Sequence, residues 1–213
     1  MPSDTSPPTP APMNADAARV LAYWLEDAIT LGWPSRNMSA IWFGGGAELD
    51  QTIDRAFGGW VRQALDGGCA SWEAQPLTRL ALVILLDQFT RNVFRGQPQA
   101  FSGDARAQTL VLDGIARGWD LQLPLAGAVF FYMPLMHAED LALQETCVRS
   151  FRALLAAAPA ERQQGLQGNV DFAIQHRDII ARFGRFPYRN AALGRTSSPQ
   201  ELEFLRDGPR FGQ

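Results

Sequence analysis

Residues 80–91 read LALVILLDQFTR, an apolar run that ends abruptly in charged and polar side chains. From Leu80 to Leu86 the run is apolar on every side of a helix, which predicts a helix at the centre of the protein. Pro76 suits the first turn of this helix, and Gly96 followed by Pro98 is typical of a helix end. We therefore expect the fold to be built around this segment.

Helical periodicity continues on both sides of the central segment, whereas the alternation typical of β-strands is scarce. The predicted helices cover residues 15–31, 48–66, 76–95, 104–117, 124–133, 138–158, 169–183 and 199–205. Pro134 is expected to kink or stop the fifth helix. Short breaks rich in glycine and proline favour antiparallel neighbours. The sequence thus predicts an all-α fold of seven or eight antiparallel helices.

Composition limits the function classes. The net charge of −3 gives no electrostatic reason to expect binding of nucleic acid or of an anionic membrane. No run approaches the length of a transmembrane helix. Cys69 and Cys147 have neither disulfide-framework nor metal-ligand spacing. We predict a cytoplasmic protein without metal or cofactor, and the sequence does not predict an oligomeric state.

The chain length of 213 residues fits one domain. We predict a single helical domain over residues 15–213. Residues 1–14 contain five prolines and lack the basic start and apolar core of a signal peptide. They are therefore predicted to form a disordered or extended tail.

The first polar cluster directly follows the apolar run. Asp87, Arg91 and Arg95 are four residues apart, so they are expected to share one helix face, with Asn92 beside them. One interpretation is an ion pair between Asp87 and Arg91 that orders neighbouring loops. The other is a pocket in which Arg91 or Arg95 receives an anionic group.

The second polar cluster contains His137, one of two histidines, at the start of the sixth predicted helix. Glu139 and Asp140 would lie in its first turn, where the helix dipole favours acidic side chains. The His-x-Glu spacing occurs in zinc deaminases, but their Cys-x-x-Cys partner is absent from the sequence. Helix capping and a functional role of His137 with Glu139 are both open.

The third polar cluster combines His176 with a group of arginines near a helix end. His176 lies on an apolar helix face, where a hydrogen-bonded core histidine and a functional one are both conceivable. Arg182, Arg185, Arg189 and Arg195 follow within 14 residues, more cations than helix capping needs. Either they meet carboxylates across the fold, or they hold an anion.

Three segments, LLDQFTRNVFRG (85–96), PLMHAED (134–140) and FGRFPYRN with LGR (183–195), together resemble one bacterial family. It is catalogued as domain of unknown function nine-two-four. The resemblance spans about residues 17–205 and implies a tetratricopeptide-like all-α fold with no established activity. Tyr188 stands where this family often has histidine, which argues against a metal site at that position.

Three hypotheses for function remain open. The first is a binding protein whose arginine-lined pocket takes a small anionic ligand or a peptide terminus. The second is a small-metabolite hydrolase or acid–base enzyme that uses His137 or His176 as base, oriented by a carboxylate such as Glu139. The third is a helical scaffold with a purely structural polar core. The first two require the polar clusters to converge.

Overall fold

The computed structural model describes residues 13–209, and between Met13 and Pro209 it contains helices and no β-strand. The predicted tail over residues 1–14 lies almost entirely outside the described residues. The α-helices are α1 Ala15–Leu25, α2 Ala28–Leu31, α3 Ser39–Trp42, α4 Ala47–Leu65, α5 Pro76–Val83, α6 Thr90–Val93, α7 Asp104–Ala116, α8 Leu125–Met136, α9 Leu141–Ala157, α10 Ala160–Phe183 and α11 Pro199–Asp207. One-turn 3-10 helices cover Ala70–Ala74, Pro98–Phe101, Asp120–Gln122 and Pro187–Arg189. Eight of these α-helices have eight residues or more, which confirms the all-α prediction.

The segment from α5 to α6 lies at the centre of the fold, as its apolar run predicts. Residues 80–87 are all buried, and α5 and the turns that follow it pack against α1, α4, α7 and α8. Pro76 occupies the first turn of α5. Because apolar side chains surround this segment on all sides, it must be enclosed by the other helices to leave water.

A single π-helical stretch, Ile84–Phe89, interrupts this central helix between α5 and α6. The sequence predicts one regular helix here, so this irregularity was missed. Asp87 and Gln88 both lie in the π-helical stretch. π-Helical stretches are rare in proteins, and those that occur are often at functional sites.

Helix boundaries differ from the prediction at several places. The first predicted helix breaks at Glu26, whose φ is +50°. The carboxylate of Glu26 binds Arg36, and the carboxylate of Asp27 accepts a hydrogen bond from the Ser35 N–H. These contacts hold the chain in the break. Helix α8 runs through Pro134 to Met136, so of the two expectations for Pro134, a kink or a stop, the stop is wrong. Helix α10 begins nine residues before the predicted start.

The last three long helices are joined by short connections. Helix α9 packs against α8 on one side and α10 on the other, and two residues, Ala158 and Pro159, connect α9 to α10. The early part of α10 was missed because its Gly165 and Gly168 weaken the helical pattern. Burial of Leu166 against the core stabilises this part instead. No helix within residues 13–209 is long and apolar enough to cross a membrane.

Candidate functional site

A buried carboxylate and a histidine meet at the centre of the fold. Asp87, in the π-helical stretch, is fully buried, and its Oδ1 lies 2.8 Å from Nδ1 of His137. His137 directly follows the last residue of α8. The amide of Gln88 donates to the other carboxylate oxygen of Asp87 at 2.6 Å. Both oxygens of this carboxylate therefore have a partner.

Two arginines and a second carboxylate extend this pair. Arg91 lies 3.3 Å from Asp87 Oδ1 through Nη1 and 3.0 Å from Asp104 Oδ1 through Nη2. Arg189 Nη1 lies 3.3 Å from the other oxygen of Asp104. The expected Asp87–Arg91 ion pair is thus present, and Arg91 joins it to the first turn of α7.

Aromatic rings enclose the far end of this network. The guanidinium of Arg189 lies 4.6 Å from the ring centroids of both Phe101 and Phe186. The ring of His176 contacts Phe186 at 5.6 Å and His137 at 6.3 Å, centroid to centroid. Tyr188 stacks on Phe186. We call the following eight residues the buried polar cluster: Asp87, Gln88, Arg91, Asp104, His137, His176, Tyr188 and Arg189.

The charge state of the cluster follows from burial and from its cations. Burial raises the pKa of Asp87, but the charge of Arg91 and the contact with His137 outweigh it, so the Asp87 pKa lies below its usual value. Burial lowers the pKa of His137, and Arg91 and Arg189 lower it further against the opposing charge of Asp87. Burial, and then repulsion from protonated His137 and from the arginines, lowers the pKa of His176 to about 3. At neutral pH both imidazoles are therefore uncharged.

The cluster is electrically balanced, and only part of it reaches the surface. Its two carboxylates face two guanidinium groups, which is how buried charges are normally tolerated. The side chains of His137 and Arg91 retain 16% and 11% of their exposure, whereas Asp87 retains none. Within the described residues, Nε of Arg91 and Nε of Arg189 are buried without a hydrogen-bond partner. The cluster thus combines a neutral, mostly buried imidazole with two buried guanidinium Nε–H groups that have no partner within the described residues.

Two of the predicted residues in the first polar cluster lie outside this arrangement. Asn92 donates to Asp50 Oδ1 at 2.8 Å, and Arg95 binds the same carboxylate at 2.6 Å. The expectation that Arg95 shares a face with Asp87 and Arg91 is wrong, because α6 ends at Val93. Arg95 instead links the end of the central segment to the start of α4.

Residues of the second and third polar clusters are also separated, because some of them form ion pairs outside the buried polar cluster. Glu139 accepts the Phe186 N–H at 2.8 Å and binds Arg195 at 2.6 Å, while Arg185 binds Glu201 at 2.6 Å. These arginines therefore meet carboxylates across the fold. The expected position of Glu139 in a helix first turn is wrong, because α9 begins after Asp140, which caps it by accepting the Leu143 N–H.

The carboxylate Asp104 was missed as a site residue by sequence reasoning. In the sequence it is an acidic residue at a helix start, which the helix dipole explains without any function. Gln144 was missed as well. It is fully buried, and its amide donates to the carbonyl oxygens of Met136 and Ala138 at 2.6 and 2.8 Å, on either side of His137. No sequence pattern signals either contact.

Two cavities lie away from the buried polar cluster. One, of about 660 Å³, is a groove between α8, α9 and the loop that follows α2. The other lies beside Arg182, Arg185 and Glu201. Asp87, Arg91, His137 and His176 therefore converge without lining either cavity, and Arg185 lies apart from them. Among residues 13–209, no group of three or more His, Cys, Asp or Glu side chains is placed to hold a metal ion.

Comparison with known proteins supports the resemblance found in the sequence. No curated protein matches the chain. A solved structure of the protein of unknown function ATU0120 from Agrobacterium tumefaciens is similar, with a TM-score of 0.75 and 32% identity, over 91% of this chain and 98% of that one. The model of a family described as bacterial protein of unknown function (DUF924) matches residues 20–209. The chain therefore belongs to the DUF924 family, whose function is unknown.

Proposed function

We propose that the protein is an enzyme in which His137 transfers protons and Asp87 orients it. The observation that carries this proposal is the 2.8 Å contact between Asp87 Oδ1 and His137 Nδ1. Because an ionised carboxylate can only accept, Nδ1 must carry the proton and the other ring nitrogen, Nε2, is left as a base. In hydrolases a buried carboxylate likewise orients an imidazole that acts as the base.

The neighbouring cations support a reaction in which negative charge develops. The charges of Arg91 and Arg189 lower the pKa of His137, and each of these arginines has a buried Nε–H without a partner within the described residues. Fixed cationic donors in a site with little water stabilise an oxyanion or enolate in the transition state. We therefore infer hydrolysis or proton abstraction on a small anionic metabolite as the reaction class.

His137 is better suited than His176 to act as the base. The pKa of His176 is about 3, which makes its imidazole a weak proton acceptor at neutral pH. Its Nδ1 contacts the Phe172 carbonyl oxygen at 2.8 Å, an ordinary hydrogen bond within a helix. We assign His176 a structural role, as an uncharged ring that packs beside His137.

The arginine-lined binding pocket receives less support than the enzyme. Arg95, Arg185 and Arg195 each bind a carboxylate outside the buried polar cluster, so they are not grouped with Arg91 and Arg189 around one site. The structural polar core is the second candidate, and the charge balance of the buried polar cluster favours it. Buried ion pairs of this kind can serve packing alone.

Activity-based metabolite profiling separates the two candidates. The purified protein, His137→Gln and His176→Gln are incubated with a bacterial small-molecule extract, and metabolite depletion is followed by mass spectrometry. We expect depletion of an anionic metabolite by the wild type and a loss of about 100-fold or more in His137→Gln, because general-base catalysis contributes that much. His176→Gln should retain most of the activity.

The outcomes of this profiling are distinguishable. A folded His137→Gln variant that depletes the metabolite at the wild-type rate contradicts the proposal. If the wild type depletes nothing and both variants only lose thermal stability, the structural polar core is favoured. Circular dichroism melting of all three proteins provides the folding control.

We also infer the setting in which the protein works. The free, buried thiols of Cys69 and Cys147 support a cytoplasmic location, where cysteines stay reduced. The continuous hydrophobic core from α1 to α10 supports one helical domain over residues 15–213. The sequential packing of α8, α9 and α10 supports tetratricopeptide-like stacking. The negative net charge supports the absence of a nucleic-acid partner.

A further inference from the structure

The groove of about 660 Å³ lies between α8, α9, the loop that contains Trp33 and the one-turn helix Asp120–Gln122. Its volume is within the range of small-ligand sites, which is about 300–1,000 Å³. It shares no lining residue with the buried polar cluster. The groove is therefore a separate feature of the molecule, and a role for it is independent of the proposed enzymatic function.

The walls of the groove are largely apolar. Leu31 and Leu121 are 62% and 84% exposed beside it, which is high for leucine. Trp33 contributes an aromatic wall that is held by a perpendicular contact with Trp42 at 6.0 Å. The floor and sides are completed by Leu123, Leu125, Ala128, Ala153, Leu154 and Ala157. An apolar ligand would release water from these surfaces.

One end of the groove carries a carboxylate and a guanidinium. Asp120 accepts a hydrogen bond from the Tyr132 hydroxyl at 2.6 Å, and burial together with this bond raises the pKa of Tyr132, which keeps its proton. Arg149 donates to the Thr146 hydroxyl at 2.8 Å and forms no ion pair within residues 13–209. The Tyr132 ring contacts Phe151 of α9 at 5.7 Å, centroid to centroid, so Tyr132 and its partner Asp120 lie beside the part of α9 that contains Arg149.

The opposite end also carries both signs of charge. Glu161 and Arg162 lie in the first turn of α10, directly after the end of α9. The Arg162 guanidinium lies 5.4 Å from the Trp33 ring centroid, and neither Glu161 nor Arg162 forms an ion pair in the described part of the chain. These charges are therefore available to a ligand.

The distance between the two ends follows from helix geometry. Arg149 and Ala157 both line the groove and lie eight residues apart on α9. At a rise of 1.5 Å per residue, this separation is about 12 Å. An extended peptide advances about 3.3–3.6 Å per residue, so three to four residues span the groove.

We propose that this groove binds a short apolar peptide of three or four residues through both of its charged termini. Such a peptide has an ammonium group at one end and a carboxylate at the other, with apolar side chains between them. The ammonium group matches Asp120 or Glu161, and the carboxylate matches the arginine at the opposite end. A fatty acid carries one charged end and leaves the other pair of charges without a partner.

Isothermal titration calorimetry tests this proposal with a tetrapeptide of alternating leucine and alanine. The peptide with free termini is compared with the same peptide acetylated at its N-terminus and amidated at its C-terminus. We expect one peptide to bind per chain, and blocking the termini to weaken binding about tenfold or more, because charge-assisted hydrogen bonds are lost. Chemical-shift mapping should locate the free peptide at the groove.

Three variants of α9 test where the peptide binds, and Arg152→Gln is the control among them. Arg149→Gln should weaken binding of the free peptide about tenfold, as expected for one lost charged contact. Arg152→Gln should bind like the wild type, because Arg152 is exposed on the same helix but does not line the groove. Ala153→Arg places a long side chain in the groove and should abolish binding.

Four results would overturn the proposal. They are no binding of the free peptide at millimolar concentration, equal binding of the blocked peptide, wild-type binding by both Arg149→Gln and Ala153→Arg, and chemical-shift changes confined to another face. A loss of His137-dependent activity would leave this proposal untouched, since the groove and the buried polar cluster share no residue.

Discussion

Arg189 Nη1 lies 3.3 Å from Asp104 Oδ2, although the two residues are 85 positions apart in the chain. This ion pair connects the one-turn helix Pro187–Arg189 to the start of α7. Because Arg91 contacts the other oxygen of Asp104, the same carboxylate also connects the central segment. Asp104 is therefore the point at which three distant parts of the chain meet.

Removing the charge of Asp104 should destabilise the protein strongly. In Asp104→Asn, the buried guanidinium groups of Arg91 and Arg189 lose a shared counter-charge. We expect the free energy of unfolding to fall by about 3–5 kcal/mol, the usual cost of leaving buried charges uncompensated. Urea denaturation measures the change.

A surface carboxylate provides the matched control for Asp104. Asp54 binds Arg62 at 3.0 Å, and about half of each side chain is exposed. Asp54→Asn should cost no more than about 1 kcal/mol, because exposed ion pairs contribute little. Equal effects of Asp104→Asn and Asp54→Asn would contradict the view that the buried polar cluster is a stabilising unit.

Gly103 is required for the close approach of α7 to the central segment. A Cβ added at Gly103 would collide with the carbonyl oxygen of Leu86, whereas one added at Gly165 meets nothing within 4 Å. We expect Gly103→Ala to lower the free energy of unfolding by about 1–3 kcal/mol, because the backbone must shift. Gly165→Ala, in the interior of α10, should raise it by about 0.5–1 kcal/mol. Thermal denaturation that shows equal signs for the two variants would be evidence against this packing.

Acid should destabilise the protein through His176. Its folded pKa of about 3 is below the unfolded value of 6.5, so the unfolded chain binds this proton first. The stabilising contribution is therefore complete above about pH 6.5 and is lost as pH falls, by about 1.4 kcal/mol per pH unit for each such histidine. His137, whose pKa is also lowered, adds to the same slope.

In the unfolded chain His176 titrates near pH 6.5, above the pH range in which most carboxylates titrate. Unfolding free energies measured between about pH 5 and 6.5 should rise with pH in the wild type and rise less steeply in His176→Gln. An unchanged slope in this variant would show that His176 takes up its proton equally in the folded and unfolded states.

Gln144 should determine the position of His137. Gln144→Ala leaves the carbonyl oxygens of Met136 and Ala138 buried without their donor, which should cost about 2–4 kcal/mol. Gln167→Ala is the control, since Gln167 is exposed and its amide donates to Asp171 within α10. In amide hydrogen exchange, Gln144→Ala should increase the exchange rate of His137, whereas faster exchange in Gln167→Ala alone would argue against this role.

The tautomer of His137 provides a direct reading of its contact with Asp87. In nitrogen-15 NMR spectra at neutral pH, we expect Nδ1 to carry the proton and Nε2 to be unprotonated, because Asp87 can only accept. Asp87→Ala should remove this preference. A wild-type signal from protonated Nε2 with bare Nδ1 would contradict the assigned role of His137 as a base.

Much of the fold could be predicted from the sequence because helix formation and burial are governed by local patterns. The apolar run at residues 80–86 predicted the central helix, and the predicted helix over residues 199–205 agrees with α11. The π-helical stretch could not be predicted, because its i→i+5 hydrogen bonds depend on how neighbouring helices pack. The break at Glu26 likewise depends on contacts with the loop after it.

The candidate site was predicted in part. His137, His176, Asp87 and Arg91 stood out because polar side chains within apolar helices are costly unless they are paired. Apart from the pair of Asp87 and Arg91, which arginine pairs with which carboxylate could not be predicted, because the sequence contains far more arginines and acids than the cluster uses. Arg185 and Arg189 illustrate this, because they are four residues apart yet bind carboxylates in different helices.

By itself, the sequence determined the helical class, the buried centre and the identity of the polar residues placed within it. Only the tertiary structure decided that Asp87 would hold His137, that Asp104 would join two arginines, and that a separate groove would open beside α9. The physical reason is the sequence separation over which each interaction acts. Helix propensity and amphipathicity act over a few residues. The contacts of Asp87 with His137 and of Asp104 with Arg189 instead join residues that are 50 or more positions apart in the chain.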